Sequence, residues 1–308
     1  MTGYELSERT KKAIRELKLT PIESLFEKNP LGILYTNNDC LEYYDWENES
    51  RLAIKKMSTF INALYCDDNQ RIIINDQNIM VYDLLNDEDR YIRMYRPNCI
   101  TTHKNNILDC GDYGIFGVGD TMLWSKRSLG EKNLAGVEAI QSYNDELYAL
   151  VNDKNDVRSI IELKVRTTRN CKIKNVLMQY DARGVGPYNF IILPYGKIKD
   201  LRRKTHPFSI LSCVNNHYLD LNGEKIAGTD TEHQINCLQI KNIDKSSVKV
   251  FYSGFNQKAI FESSIDLDRK SADTKVVVSG LDKRVCYFQL INNEKSHEYL
   301  SSLGKVIR

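Results

Sequence analysis

One unit recurs along most of this 308-residue sequence: a β-rich run, a short polar turn and a second β-rich run. It reads LGILYTN-ND-CLEYYDW at 31–46, RIIIN-DQN-IMVYDL at 71–84, YGIFGVG-D-TMLWSK at 113–126 and ELYALVN-DKND-VRSIIELKV at 146–165. It continues as YNFIILP-YGK-IKDLR at 188–202, EKIAGTD-TEHQ-INCLQIK at 224–241 and TKVVVSG-LDK-RVCYFQLI at 274–291. The second runs begin at 40, 79, 121, 157, 198, 235 and 284, so successive steps are 36 to 49 residues. Further alternating runs such as INALYCDDN, VEAIQSYND and VKVFYSGF precede most units. Alternating apolar and polar residues, punctuated by Asn, Asp, Gly and Ser, read as strands and turns. A period near 40 residues means small sheets that bury their faces only against their neighbours, which is the demand a propeller meets. The seven units predict an all-β fold, a seven-bladed β-propeller over residues 21–308. A strand from 21–27 or from the C-terminal SLGKVIR is expected to close the ring.

A short N-terminal α-helix over residues 1–20 precedes the repeats. Thr2 and Glu5 form a capping box, and Leu6, Thr10, Ile14 and Leu17 share one face. That apolar stripe either caps the side of the propeller or docks into a groove of a partner, and Leu6, Ile14 and Leu17 are its candidate contacts.

The glycines at 111, 114, 117 and 119 invite comparison with a phosphate loop. Their order fits neither GxGxxG nor GxxxxGK[ST], and TMLWSK follows them where a helix would have to start. They belong to a hairpin.

Repeats of this length, with units closing on Val81-Tyr82-Asp83 and Met122-Leu123-Trp124-Ser125, resemble the WD40-like β-propeller family over roughly residues 21–291. That family's Gly-His pair and Trp-Asp dipeptide are absent, the nearest being the reversed Asp45-Trp46. Packing, not the family's hydrogen-bond network, is therefore expected to hold the sheets. The resemblance implies a rigid platform on which other proteins assemble inside a larger complex.

Candidate chemistry is sparse. Cys213-x3-His217 and His233-x3-Cys237 supply two Cys and two His, the donor set of a tetrahedral zinc site. On a strand, however, positions 233 and 237 lie about 13 Å apart. Cys66 and Cys110 stand beside aspartates, which oppose formation of a thiolate. The five histidines fall in no recognisable motif. No catalytic residue, metal or cofactor is expected, and the chain is read as a non-enzyme. The N-terminus carries charge throughout and lacks an apolar signal run, and the eight cysteines are scattered singly. An intracellular protein without a membrane anchor, nuclear or cytoplasmic, is the expectation.

Charge is informative in its distribution. The chain as a whole is nearly neutral at +2, yet residues 158–204 hold twelve basic and three acidic residues, a net +9. Two runs concentrate it. Lys164, Arg166, Arg169, Lys172 and Lys174 form the first, and Lys197, Lys199, Arg202, Arg203 and Lys204 the second. Equivalent exits from adjacent blades are expected to place them on neighbouring parts of one rim, facing an acidic protein partner. Solvated strand edges guarded by Lys are the plain alternative. Nucleic-acid phosphate is the other, although the runs contain no aromatic residue on which bases could stack. The sequence thus predicts a non-catalytic scaffold subunit of a multiprotein complex, with a nucleic-acid-binding propeller in an RNA-processing or chromatin complex as the rival.

Overall fold

The computed structural model describes residues 30–37, 40–56, 63–66, 71–76, 78–83, 88–92, 99–103, 106–111, 114–118, 123–125, 134–167, 170–180, 189–214, 217–230, 235–243, 246–254, 258–281, 285–292, 294–303 and 305–306. The helix expected over 1–20, with Leu6, Ile14 and Leu17, lies outside them, as does the candidate closing strand at 21–27.

Strand β1 (Gly32–Asn37) is buried at every residue, so it needs partners on both edges and cover on both faces. β2 (Cys40–Asp45) flanks it antiparallel, with Asn37 opposite Cys40, and β3 (Ser50–Lys56) extends the sheet. The other edge of β1 takes β26 (Val285–Ile291), from the far end of the chain, with Ile33 opposite Leu290. β27 (Lys305–Val306) then pairs with the outer edge of β3. SLGKVIR therefore contributes a strand to the outer edge of the first sheet.

Four-stranded antiparallel sheets follow in chain order. The second holds β4 (Ala63–Cys66), β5 (Arg71–Asp76), β6 (Asn78–Asp83) and β7 (Glu88–Ile92). The third holds β8 (Cys99–His103), β9 (Asn106–Gly111), β10 (Gly114–Val118) and β11 (Leu123–Ser125). Gly111, Gly114 and Gly117 thus lie on paired strands, as a hairpin requires. β12 (Leu134–Tyr143), β13 (Glu146–Asp153), β14 (Arg158–Thr167) and β15 (Asn170–Tyr180) make the fourth sheet. The fifth consists of β16 (Phe190–Leu193), β19 (Ser209–Val214), β20 (Tyr218–Leu221) and β21 (Glu224–Lys225), with a small separate hairpin, β17 (Ile198–Lys199) and β18 (Thr205–His206), between its first two strands. The sixth is β22 (Ile235–Ile243), β23 (Ser247–Gly254), β24 (Ile260–Asp266) and β25 (Ser271–Val278).

Successive sheets pack face to face, and period-2 alternation assigns each side chain to one neighbour. On β13, Leu147, Ala149 and Val151 join a core with Leu108, Cys110 and Ile115 of the third sheet, while Tyr148 and Leu150 join one with Phe190, Ile192 and Ile210 of the fifth. Likewise Leu211, Cys213 and Leu219 pack on Val248, Val250 and Tyr252, and Phe251 from the same strand packs on Ile33, Tyr35 and Phe288. The first strands also meet in order. β8 lies against β4 and β12, β16 against β12 and β22, and β26 against β22 and β4, so this chain of contacts returns to its start.

The expectation of seven units is not met among the described residues, where six sheets of four or more strands succeed one another. The units at 31–46, 71–84, 113–126 and 146–165 are hairpins. The other three are not. β16 pairs with β19 and not with β17, because a strand buried on both faces needs the apolar SILSC run, which the charged IKDLR cannot supply. The units at 224–241 and 274–291 each span the passage from one sheet to the next.

Helix α1 (Glu294–Leu303) rests on β2 and β3, burying Leu300. The Tyr43 hydroxyl and His297 Nδ1 share a 2.8 Å hydrogen bond, and Ser301 Oγ donates to Asp45 Oδ2 at 2.9 Å. Burial pushes the Asp45 carboxyl up, but hydrogen bonds from Asn48 and Ser301 outweigh it and hold the group below its ordinary value.

The fifth and sixth sheets are also tied by backbone. Ala227 N–H donates to Lys270 C=O at 2.9 Å, and Ala272 N–H donates to Ala227 C=O at 2.8 Å. Gly228 beside them has φ of +83°, and a Cβ there would run into the carbonyl oxygen of Ala272. Gly228→Ala is expected to cost about 2 kcal/mol, from left-handed strain plus overlap. Gly280, at φ +66° with open space around it, isolates the strain, and Gly280→Ala is expected to cost about 1 kcal/mol, both losses being read by urea titration.

Candidate functional site

The two basic runs meet at the outer edge of the fourth sheet. β15 is its last strand, and the turn between β17 and β18 leans on it: Leu201 N–H donates to Val176 C=O at 3.1 Å. That single bond brings the second run beside the first.

Sequence explains why the turn is rigid. Asp200 is a short acceptor at the head of a tight turn, the residue type that closes such a loop on its own backbone. Its Oδ1 accepts the N–H groups of Arg202 and Lys204, each at 2.9 Å. Its backbone N–H donates to Lys204 C=O at 3.0 Å and its C=O accepts from Arg203 N–H at 2.9 Å. Oδ2 stands 3.1 Å from His206 Nε2, where the ring nitrogen must donate because a carboxylate only accepts. Burial works against this carboxylate, but the bonds from His206 and from the two N–H groups prevail and hold its carboxyl below the usual carboxylate range. The one acidic residue of the second run is therefore spent on the turn, and the cations around it face outward.

Lys197, Lys199, Arg202, Arg203 and Lys204 are exposed. Lys164 on β14 and Lys172 on β15 are exposed too, and stand directly opposite one another across the pair, a like-charge arrangement that disfavours the sheet. Among the described residues none of these seven lies in an ion pair. Lys174 departs from the expectation: it is half-buried and ion-paired to Glu162 and Glu146, so it is bound internally. Arg166 lies on β14, and Arg169 is outside the described residues.

Lys174 belongs to a pattern that sequence reasoning missed. In three sheets a buried carboxylate on the third strand meets a cation from the fourth: Glu42 with Arg51, Glu162 with Lys174 and Glu262 with Lys275. In the fifth sheet the corresponding strand carries buried Asp220, which takes a hydrogen bond from Ser212 Oγ instead, and Ser212 is in turn bonded to the Tyr180 hydroxyl of the fourth sheet at 2.8 Å. Polar pairs thus recur where packing alone was expected.

No family model matches the chain, and no curated protein matches it in sequence.

Of the zinc candidates, Cys213 is buried on β19, His217 is exposed just before β20 and Cys237 lies on β22 of the next sheet, while His233 is outside the described residues. Among the described residues no group of three His, Cys, Asp or Glu is placed to hold a metal, and no helix is long and apolar enough to cross a membrane. The chemistry available at the rim is electrostatic: a row of cations, fixed by backbone, with its carboxylates withdrawn into the fold.

Proposed function

We propose that this chain is a WD40-like, propeller-type platform of six sheets, a non-catalytic subunit of an intracellular multiprotein complex. It docks a partner through the basic rim formed by Lys164, Lys172, Lys197, Lys199, Arg202, Arg203 and Lys204. The returning contacts of the first strands and the pairing of β26 with β1 support the ring reading, since a closed ring leaves no sheet unpartnered. One observation carries the functional reading. Among the described residues the rim cations lie in no ion pair, and five of them flank one pinned turn, whereas Arg51, Arg158 and Lys275 elsewhere are paired to carboxylates that the fold shields. Unpaired like charges held together disfavour the free protein and favour an acidic surface that neutralises them.

Purification from the source cell at low and moderate salt, with and without nuclease, tests this. Partners are expected to survive nuclease and to be lost from a Lys164→Glu, Lys172→Glu, Arg202→Glu variant. Loss of the associated material on nuclease treatment instead makes the rim a phosphate-binding surface, whose affinity falls by orders of magnitude over the same salt range.

A further inference from the structure

We propose that the rim receives an extended acidic segment of a partner protein, with an apolar side chain of that segment seated on Leu201; this rests on the rim being a protein-docking surface. Leu201 is 58% exposed, more than any other large hydrophobic side chain among the described residues. This leucine stands on a loop tip whose backbone is held in place. Its own N–H is held by Val176, and the residues on either side are held by the Asp200 carboxylate and backbone. The apolar side chain is therefore presented on a turn whose neighbouring residues Lys199, Arg202, Arg203 and Lys204 are exposed as well. Arg203 adopts φ of +64°, a left-handed conformation that glycine would take at less cost, so the position carries an arginine against its backbone preference.

The length of the track sets the ligand. Lys172 and Val176 lie four residues apart on β15, about 13 Å along the strand, and Leu201 abuts the far end. A single phosphate or carboxylate cannot reach from the Lys164–Lys172 pair to the Arg202–Arg203 turn. Four to six residues of extended peptide can, with carboxylates at both ends and an apolar residue toward Leu201. Single-stranded nucleic acid fits less well, because neither run contains an aromatic residue for stacking and an apolar tip gives phosphate no contact. A bilayer surface is held by a broad apolar face, and one leucine does not provide it.

The test is a binding titration of the full chain with labelled octapeptides of Glu and Asp carrying a central Leu, and with the same peptides carrying Ser there. The Leu peptide is expected to bind at least tenfold more tightly than the Ser peptide. Leu201→Ser is expected to abolish that difference while leaving the Ser peptide's affinity unchanged. Arg203→Gly relieves the left-handed backbone, so it does not threaten folding, and it is expected to weaken both peptides about fivefold. Equal binding of the two peptides, unaffected by Leu201→Ser, overturns the apolar anchor while leaving the rim as a docking surface. Binding of oligouridylate or of phosphatidylserine vesicles in place of both peptides overturns the proposal. The rim reading itself falls on a different result, partners that still co-purify with the charge-reversed variant.

Discussion

Glu42→Ala is expected to cost 3–5 kcal/mol of folding stability, the range for removing one partner of a buried ion pair. Glu42 is buried on β2 and is the acceptor on which three donors converge: Tyr35 OH at 2.8 Å, Asn37 Nδ2 at 2.9 Å and an Arg51 guanidinium nitrogen at 3.1 Å. Arg51 also donates to Tyr35 OH and, at 3.2 Å, to the carbonyl of Gly280 just beyond the sixth sheet. The cluster therefore ties β1, β2 and β3 together and reaches across the junction where the two ends of the chain meet. Burial first, and then the neighbouring carboxylate, push the Tyr35 phenol up, so it remains a neutral donor throughout the working range. Truncation removes the acceptor shared by two buried donors and a largely shielded guanidinium, which keeps its bonds to the Tyr35 hydroxyl and the Gly280 carbonyl. Glu42→Gln, which keeps one acceptor oxygen, is expected to lose less than half as much. Glu262→Ala in the sixth sheet is expected to lose under about 1 kcal/mol, because its partner Lys275 is largely in solvent. Urea titration with an unchanged slope checks all three. A loss for Glu42→Ala no larger than that for Glu262→Ala would show that the cluster does not hold the first sheet together.

That cluster also marks the boundary of what the sequence discloses. Strands such as Gly32–Asn37 and Glu146–Asp153 were legible because apolar runs bounded by Asn-Asp turns admit little else. So were four of the hairpins. The 188–202 unit misled because a two-face-buried strand such as Phe190–Leu193 has no alternation, and without alternation no register selects its partner. The units at 224–241 and 274–291 misled for a different reason. A polar turn looks the same whether the chain doubles back within a sheet or crosses to the next, and only the count of strands between crossings distinguishes them. The two unit endings quoted for the family resemblance fall on β6 and β11, a third and a fourth strand, so they do not occupy equivalent places. The acid–cation pairs hide behind unequal turn lengths: 42 to 51, 162 to 174 and 262 to 275 share no fixed spacing. The excess of charge over 158–204 was visible at once, yet which cations remain available was not. Lys174 and Lys199 look alike in sequence, and only the neighbouring carboxylates separate them.

The contribution of Asp220 to the stability of this protein is expected to fall by an amount on the order of 4 kcal/mol as pH rises from about 4 to about 7. Asp220 sits where three other sheets carry a glutamate with a cation, but among the described residues no cation pairs with it. Burial therefore dominates and pushes its carboxyl up to about 7, while hydrogen bonds from Ser212 and Tyr180 only partly offset the rise. In the unfolded chain the same group titrates near its ordinary value of 3.8. Below that value both states hold the proton and nothing is lost. Between the two values the unfolded state has released a proton that the folded state retains, so each increment of pH favours unfolding. Above 7 both are ionised and the loss is complete. Carboxyls with depressed values, such as Asp45 and Asp200, act in the opposite sense and at lower pH, so the whole protein's profile mixes the two. The difference between wild type and Asp220→Asn separates them. Asparagine is neutral at every pH and still accepts from Ser212. The variant is expected to match wild type near pH 4 and to exceed it by several kcal/mol at pH 8, with the crossover following the titration of one group. A difference that stays constant from pH 4 to pH 8 would mean that Asp220 is already ionised in the fold, and that a water or a backbone donor occupies the place that a lysine or arginine takes in its sister sheets.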